Sequence, residues 1–189
     1  GSIGIALGGP GARSAAELLR NADLAMYEAK ARGKARVQAF EPGMHASVLS
    51  RLELAHDLRA ALDRGDIHVA FQPVVELASG RVVGCEALAR WTHPQRGPQS
   101  PAEFVPLAEE TGLLERLSTL VLDRACEEAA RWGSASSGPY VAVNLSARQL
   151  EEGVLSHSVT AVLRHHGLDP RRLVLEVTET ALLRARAES

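Results

Sequence analysis

The link around Ala78-Ser79-Gly80 limits the fold of this chain more than any other feature. On either side of it lie runs rich in Val and aromatic residues, 67–77 and 82–91, that read as β-strands. A parallel pair needs a crossover of a dozen or more residues, so strands this close must form an antiparallel hairpin. Further on the pattern changes. Strand-like runs at 140–145 and 173–177 follow helical stretches, which argues for parallel strands with helices between them. The expected class is α/β, with an antiparallel first strand in an otherwise parallel sheet.

The helices are marked by their end signals. Ser100 as N-cap, Pro101 at N1 and Glu103 at N3 predict a helix that Gly112 stops. A longer helix is expected over 114–132, closed by Gly133 and the Ser-Ala-Ser-Ser-Gly run at 134–138. Ser146 and Gln149 make a capping box, and a helix over 156–166 halts at Gly167. His165 and His166 stand just before that glycine, where a helix-end role is favoured over metal binding. Upstream, Val48, Leu52, Ala55, Leu58 and Leu62 form one apolar stripe on a helix expected over 46–64.

The first 40 residues have the character of a separate unit. A short strand is expected over 2–7, ending in the turn cluster Gly8-Gly9-Pro10-Gly11. Ser14-Ala-Ala-Glu17 opens a helix as a capping box, a second helical stretch covers 22–32 before Gly33, and a strand returns over 36–40. The expected division is a tail domain over 1–41, a linker and connector start over 42–50, and a second domain over 51–189. A chain of 189 residues has room for one domain or one and a half.

Charge and apolar runs narrow the function classes. A formal net charge of −2 gives no support to a DNA or RNA polymer as partner, while a local basic cleft stays compatible with it. No apolar run reaches the ~18 residues of a membrane span, and no signal peptide is visible. Cys85 and Cys126 lack metal-ligand spacing and read as free thiols of a reducing compartment.

The chemistry concentrates in Gly84-Cys-Glu-Ala-Leu-Ala-Arg-Trp91. Alternation on a strand puts Glu86, Leu88 and Arg90 on one side. A metal-binding carboxylate and a phosphate-binding guanidinium beside a hydrophobic ledge would suit a phosphodiester held on a cation. For the isolated motif, a surface strand with both charges in water is the better reading. Gln72, Asn144 and Glu176 also interrupt apolar strands. Each alone reads most simply as a polar group satisfying a loop backbone. Two carboxylates and an amide together are hard oxygen ligands, suited to Mg²⁺ or Mn²⁺ and not to zinc.

Several segments stand in a fixed order. They are Phe71-Gln-Pro-Val-Val75, Glu86-Ala-Leu-Ala-Arg90, Arg90-Trp-Thr-His-Pro94, Ser100-Pro-Ala-Glu-Phe104, Leu107-Ala-Glu-Glu-Thr-Gly112, Val143-Asn-Leu-Ser146 and Leu175-Glu-Val-Thr-Glu179. In this order, from about Arg51 to Leu183, the chain resembles the first half of an EAL domain, the cyclic di-GMP phosphodiesterase family. The resemblance implies the first half of a TIM-like (β/α)8 barrel with an antiparallel first strand. It implies metal ligands at Glu86, Asn144 and Glu176, a phosphate-gripping Arg90, and Gln72 and Leu88 lining the substrate cleft. Glu179 is implied as a loop-supporting residue. Glu109 and Glu110 are assigned packing and helix-end roles.

The implied reaction is hydrolysis of cyclic di-GMP to pGpG with two divalent cations, Mg²⁺ or Mn²⁺. The family's paired aspartates, catalytic lysine and later glutamate and glutamine would lie beyond Ser189, so the chain by itself is expected to be inactive. A non-enzymatic alternative is a degenerate EAL domain that serves as a cyclic di-GMP receptor or partner-binding module. Residues 22–33 resemble the last helix of a GGDEF diguanylate cyclase domain, without the loop that would bind GTP. The expected location is cytoplasmic, with a parent anchored to a membrane through an upstream region left open, and the resemblance allows a parent homodimer through EAL domains.

Overall fold

The structure, a computed structural model, describes residues 1–8, 14–31, 33, 35–133, 138–145 and 155–177. It forms two compact units, Gly1–His56 and Asp57–Ser189. Gly9-Pro10-Gly11 of the first turn cluster, residues 134–137, the Ser146–Gln149 capping box and Glu179 lie outside the described residues.

In the first unit, β1 (Ile3–Ile5) and β2 (Val37–Ala39) pair in parallel around α1 (Ala15–Ala31). The two helical stretches expected here are one continuous helix, because no Gly or Pro interrupts 15–31. Ser14 caps it: the Glu17 N–H donates to Ser14 Oγ at 3.2 Å. α1 lies so close on β1 that a Cβ at Gly4 would overlap the backbone of Ala22 and Met26.

α2 (Met44–Arg64) begins two residues before the expected start, and the division between the units falls within it. In the second unit follow β3 (Ile67–Val75), β4 (Val82–His93), β5 (Gly97–Gln99), α3 (Pro101–Glu110), α4 (Leu114–Arg131), β6 (Tyr140–Leu145), α5 (Leu155–His166), a 3-10 turn (Pro170–Arg172) and β7 (Leu173–Val177). The sheet order is β3-β4-β6-β7, with β5 added to the far end of β4. The first pair is antiparallel, and β4–β6 and β6–β7 are parallel, as the link lengths require. β3 stops at Val75 because Glu76 enters the turn, where its N–H donates to Arg81 O and its carbonyl accepts from Gly80 N. Leu77 is therefore outside the strand and 96% exposed.

β5 was not expected. His93 makes it: its Nδ1 accepts from both Gln95 N and Arg96 N, holding the turn that brings Gly97 back beside His93. Its Nε2 meets Asp57 Oδ2 on α2 at 3.0 Å. α3 starts at Pro101 as read, but Ser100 makes no side-chain cap bond; its carbonyl accepts from Glu103 N instead.

One face of the sheet carries the core. Ala87 and Trp91 of β4 and Val141 and Val143 of β6 are buried, and Phe104, Leu107, Leu117, Val121 and Ala125 of α3 and α4 are buried with them. Trp91 meets Phe104 edge to face, with centroids 5.9 Å apart, and Phe71 meets Trp132 at 5.2 Å. Arg172 is 4% exposed and closes the opposite end. Its Nη2 donates to Ala129 O and Pro139 O, and its Nε to Pro139 O, joining α4, β6 and the approach to β7.

Candidate functional site

The other face of the same sheet gathers the sequence-selected residues, and strand register is the cause. Gln72 stands directly opposite Glu86 across the β3–β4 hairpin. Glu86 is level with Ala142 of β6, so Asn144 lies one alternation step further along the same face. Asn144 is in turn level with Glu176 of β7. Leu88 and Arg90 continue this face along β4. Gln72, Glu86, Leu88, Arg90, Asn144 and Glu176 thus occupy one side of four neighbouring strands.

Two of them already touch. Asn144 Nδ2 donates to Glu86 Oε1 at 2.6 Å, across 58 residues of sequence. Gln72, Asn144 and Glu176 are exposed, while Glu86, Leu88 and Arg90 are half-buried. Arg90 donates through Nη1 to Ala89 O at 3.0 Å. A cavity of about 380 Å³ runs past Leu88, Arg90 and Asn144 to Val105 and Glu109 of α3 and Leu117 and Val121 of α4, so most of its wall belongs to the helix-covered side of the sheet. Glu109, read as a packing and helix-end residue, is exposed and borders this cavity.

The donor set decides what the site can hold. Among the described residues no three His, Cys, Asp or Glu side chains gather around one point. What converges is two carboxylates with an amide between them, an all-oxygen set that fits a hard divalent cation. The guanidinium and the amides of Gln72 and Asn144 supply donors for an anionic ligand on the same surface.

The remaining candidates fall away from this face. Cys85 sits on the opposite side of β4, and both cysteines are free. Burial, with Asp123 nearby, pushes the Cys126 thiol up to about 11. His166 ends α5 and binds Asp123 of α4 through Nε2 at 2.8 Å, a helix-to-helix tie of the kind expected at a helix end. The Gly84–Tyr140 pair was not anticipated. Tyr140 lays its ring across Gly84, its register partner on the site face. His68, directly opposite Arg90, was also missed, although alternation back from Gln72 leads to it.

Two carboxylates, two amides and an arginine thus share one face of a mixed α/β sheet. Comparison with known proteins supplies the family. The EAL domain matches residues 55–189. The chain is 44% identical over 184 residues to the bifunctional diguanylate cyclase/cyclic di-GMP phosphodiesterase MucR of Pseudomonas aeruginosa, covering 97% of this chain and 27% of that protein. It is 36% identical over 183 residues to the cyclic di-GMP phosphodiesterase NbdA of the same organism, covering 96% and 23%. Among solved structures, the MucR phosphodiesterase in complex with c-di-GMP superposes with a TM-score of 0.67 at 42% identity, covering 72% of this chain and 56% of that one. The FimX EAL domain from Pseudomonas aeruginosa bound to c-di-GMP gives 0.63 at 26% identity, covering 72% and 54%. This chain belongs to the EAL domain family. It spans about a quarter of the length of these curated relatives. Among the described residues no helix is long and apolar enough to cross a membrane.

Proposed function

We propose that the protein containing this chain hydrolyses cyclic di-GMP to pGpG by metal-dependent phosphodiester cleavage. The observation that carries the reading is the shared face: Glu86, Asn144 and Glu176 on three neighbouring strands, with Asn144 bonded to Glu86 and Arg90 on the same side. Glu86, Asn144 and Glu176 would hold Mg²⁺ or Mn²⁺. When bound, such ions neutralise charge at the phosphoryl group and lower the pKa of water. Arg90 takes a non-bridging phosphate oxygen with a charge-assisted bond and orients the diester over the carboxylates. Gln72 and Leu88 line the cleft, one as an amide donor and one as an apolar ledge. Glu179 supports a neighbouring loop in this reading.

The same proposal assigns residues 1–41 to the tail of a GGDEF domain, 42–50 to a linker and 51–189 to the EAL domain. It places the domain in the cytoplasm, where a dimer through EAL domains is open to it. The test is chromatographic detection of pGpG from cyclic di-GMP by the full-length protein with Mg²⁺ or Mn²⁺. Tight binding without turnover would move the assignment to a receptor. Absence of both binding and turnover would overturn it.

A further inference from the structure

We infer that His68 is a ligand contact of this site, donating an imidazole N–H to the phosphate that Arg90 takes. This rests on the cyclic di-GMP reading and extends it to a residue outside the motif. The first support is register. His68 and Arg90 are directly opposed across the antiparallel hairpin, which sets their Cβ atoms roughly 4.5–5.5 Å apart on one face. That face is the one holding Gln72 and Glu86, two alternation steps further along β3.

The second support is strand direction. From Glu86 through Leu88 to Arg90, β4 runs toward its C-terminal end, and Asn144 and Glu176 sit near the same ends of β6 and β7. Because β3 runs antiparallel to β4, it is the start of β3 that reaches this mouth. His68 is the second residue of that strand.

The third support is that no other task is visible for the side chain. His68 is exposed, so it is no core residue, and it has no hydrogen-bond or ion-pair partner among the described residues. The nearby acidic residue Asp66, just before β3, is taken by Arg64 at 2.7 Å. Ala70, between His68 and Gln72 on this face, leaves the approach open. A phosphodiester has two non-bridging oxygens, so one guanidinium does not exhaust its acceptors.

The test is calorimetric titration of the full-length protein with cyclic di-GMP, with Ca²⁺ present to hold back turnover. His68→Ala is expected to weaken binding about tenfold, the size of one hydrogen bond to a charged group, with the melting temperature unchanged. His68→Arg restores a donor and is expected to recover affinity with a steeper salt dependence. Combining His68→Ala with Arg90→Ala should cost less than the product of the two single effects, because both act on one phosphate. Should His68→Ala melt lower, His68→Phe is read in its place, since it keeps ring size without a donor. Affinity within twofold of the unaltered protein for the donor-less variant overturns the inference alone. An unaltered protein that fails to bind cyclic di-GMP overturns it together with the functional reading.

Discussion

Alanine at Gly84 tests how the floor of the site is built. A Cβ there would lie 2.5 Å from Tyr140 Cε2 and 2.6 Å from Cε1, against 3.4–4 Å for ordinary contact. The ring or the strand has to give by roughly an ångström, and forcing extra volume into a packed position costs ~1–3 kcal/mol. Against this, alanine restricts the unfolded chain and returns ~0.4–1 kcal/mol. The net expectation is a loss of about 1.5 kcal/mol, or ~3–6 °C in melting temperature for a chain of this size. The assay is a double-mutant cycle by denaturant and thermal unfolding, using Gly84→Ala, Tyr140→Ala and the pair. Removing the ring removes the overlap, so the pair should be more stable than the sum of the two single losses by about 1 kcal/mol or more. Additivity within ~0.3–0.5 kcal/mol would refute the reasoning, since it would mean that the ring does not bear on Gly84.

Glu86→Ala in the full-length protein is expected to reduce hydrolysis of cyclic di-GMP to background while the melting temperature holds; turnover near the original rate would sink the metal assignment. Arg172→Met keeps the apolar stem but strands the carbonyls of Ala129 and Pro139, and urea unfolding should show a loss of ~1–3 kcal/mol. Asp169 is held at about 2, below its ordinary 3.8, by the Arg171 side chain and then by the Arg171 backbone N–H. A depressed carboxylate stabilises the fold above its unfolded value, and that contribution fades as pH falls from about 4 to about 2. An acid titration of stability should therefore show Asp169→Asn converging on the unaltered protein toward pH 2; a gap that persists there contradicts this.

Much of the fold was legible because chain connectivity leaves few choices. The link at Ala78-Ser79-Gly80 permits only a hairpin, and the helices between later strands permit parallel pairing; both are present. Where the reading failed, the decisive interaction was a side chain acting away from its own position. β5 exists because the His93 ring accepts two backbone N–H groups, which no propensity of Gly97-Pro-Gln99 announces. The two-helix reading of α1 took the Ser14–Glu17 cap and the stretch ending at Gly33 as separate signals, although nothing between them breaks a helix. His68 lies outside the recognisable motif, and only strand alternation and register place it on the same face as Arg90.

The nearness of Glu86 to Asn144 belongs to a different order of information. Alternation places each of them on a face of its own strand, but only the register between β4 and β6 decides whether the two faces coincide. That register is staggered, so Glu86 is level with Ala142 and not with Asn144. Asn144 is then a diagonal neighbour, roughly 7–8 Å away at the backbone. A carboxylate on two methylenes can cross that interval to a short amide, and the 2.6 Å contact is the result. The same stagger is what a sheet needs if it is to curl toward a barrel. β7 enters level with Asn144, which sets Glu176 against the amide from the other side. Register alone thus lines up Glu86, Asn144 and Glu176 on adjoining strands, with the short amide on the middle strand between the two longer carboxylates.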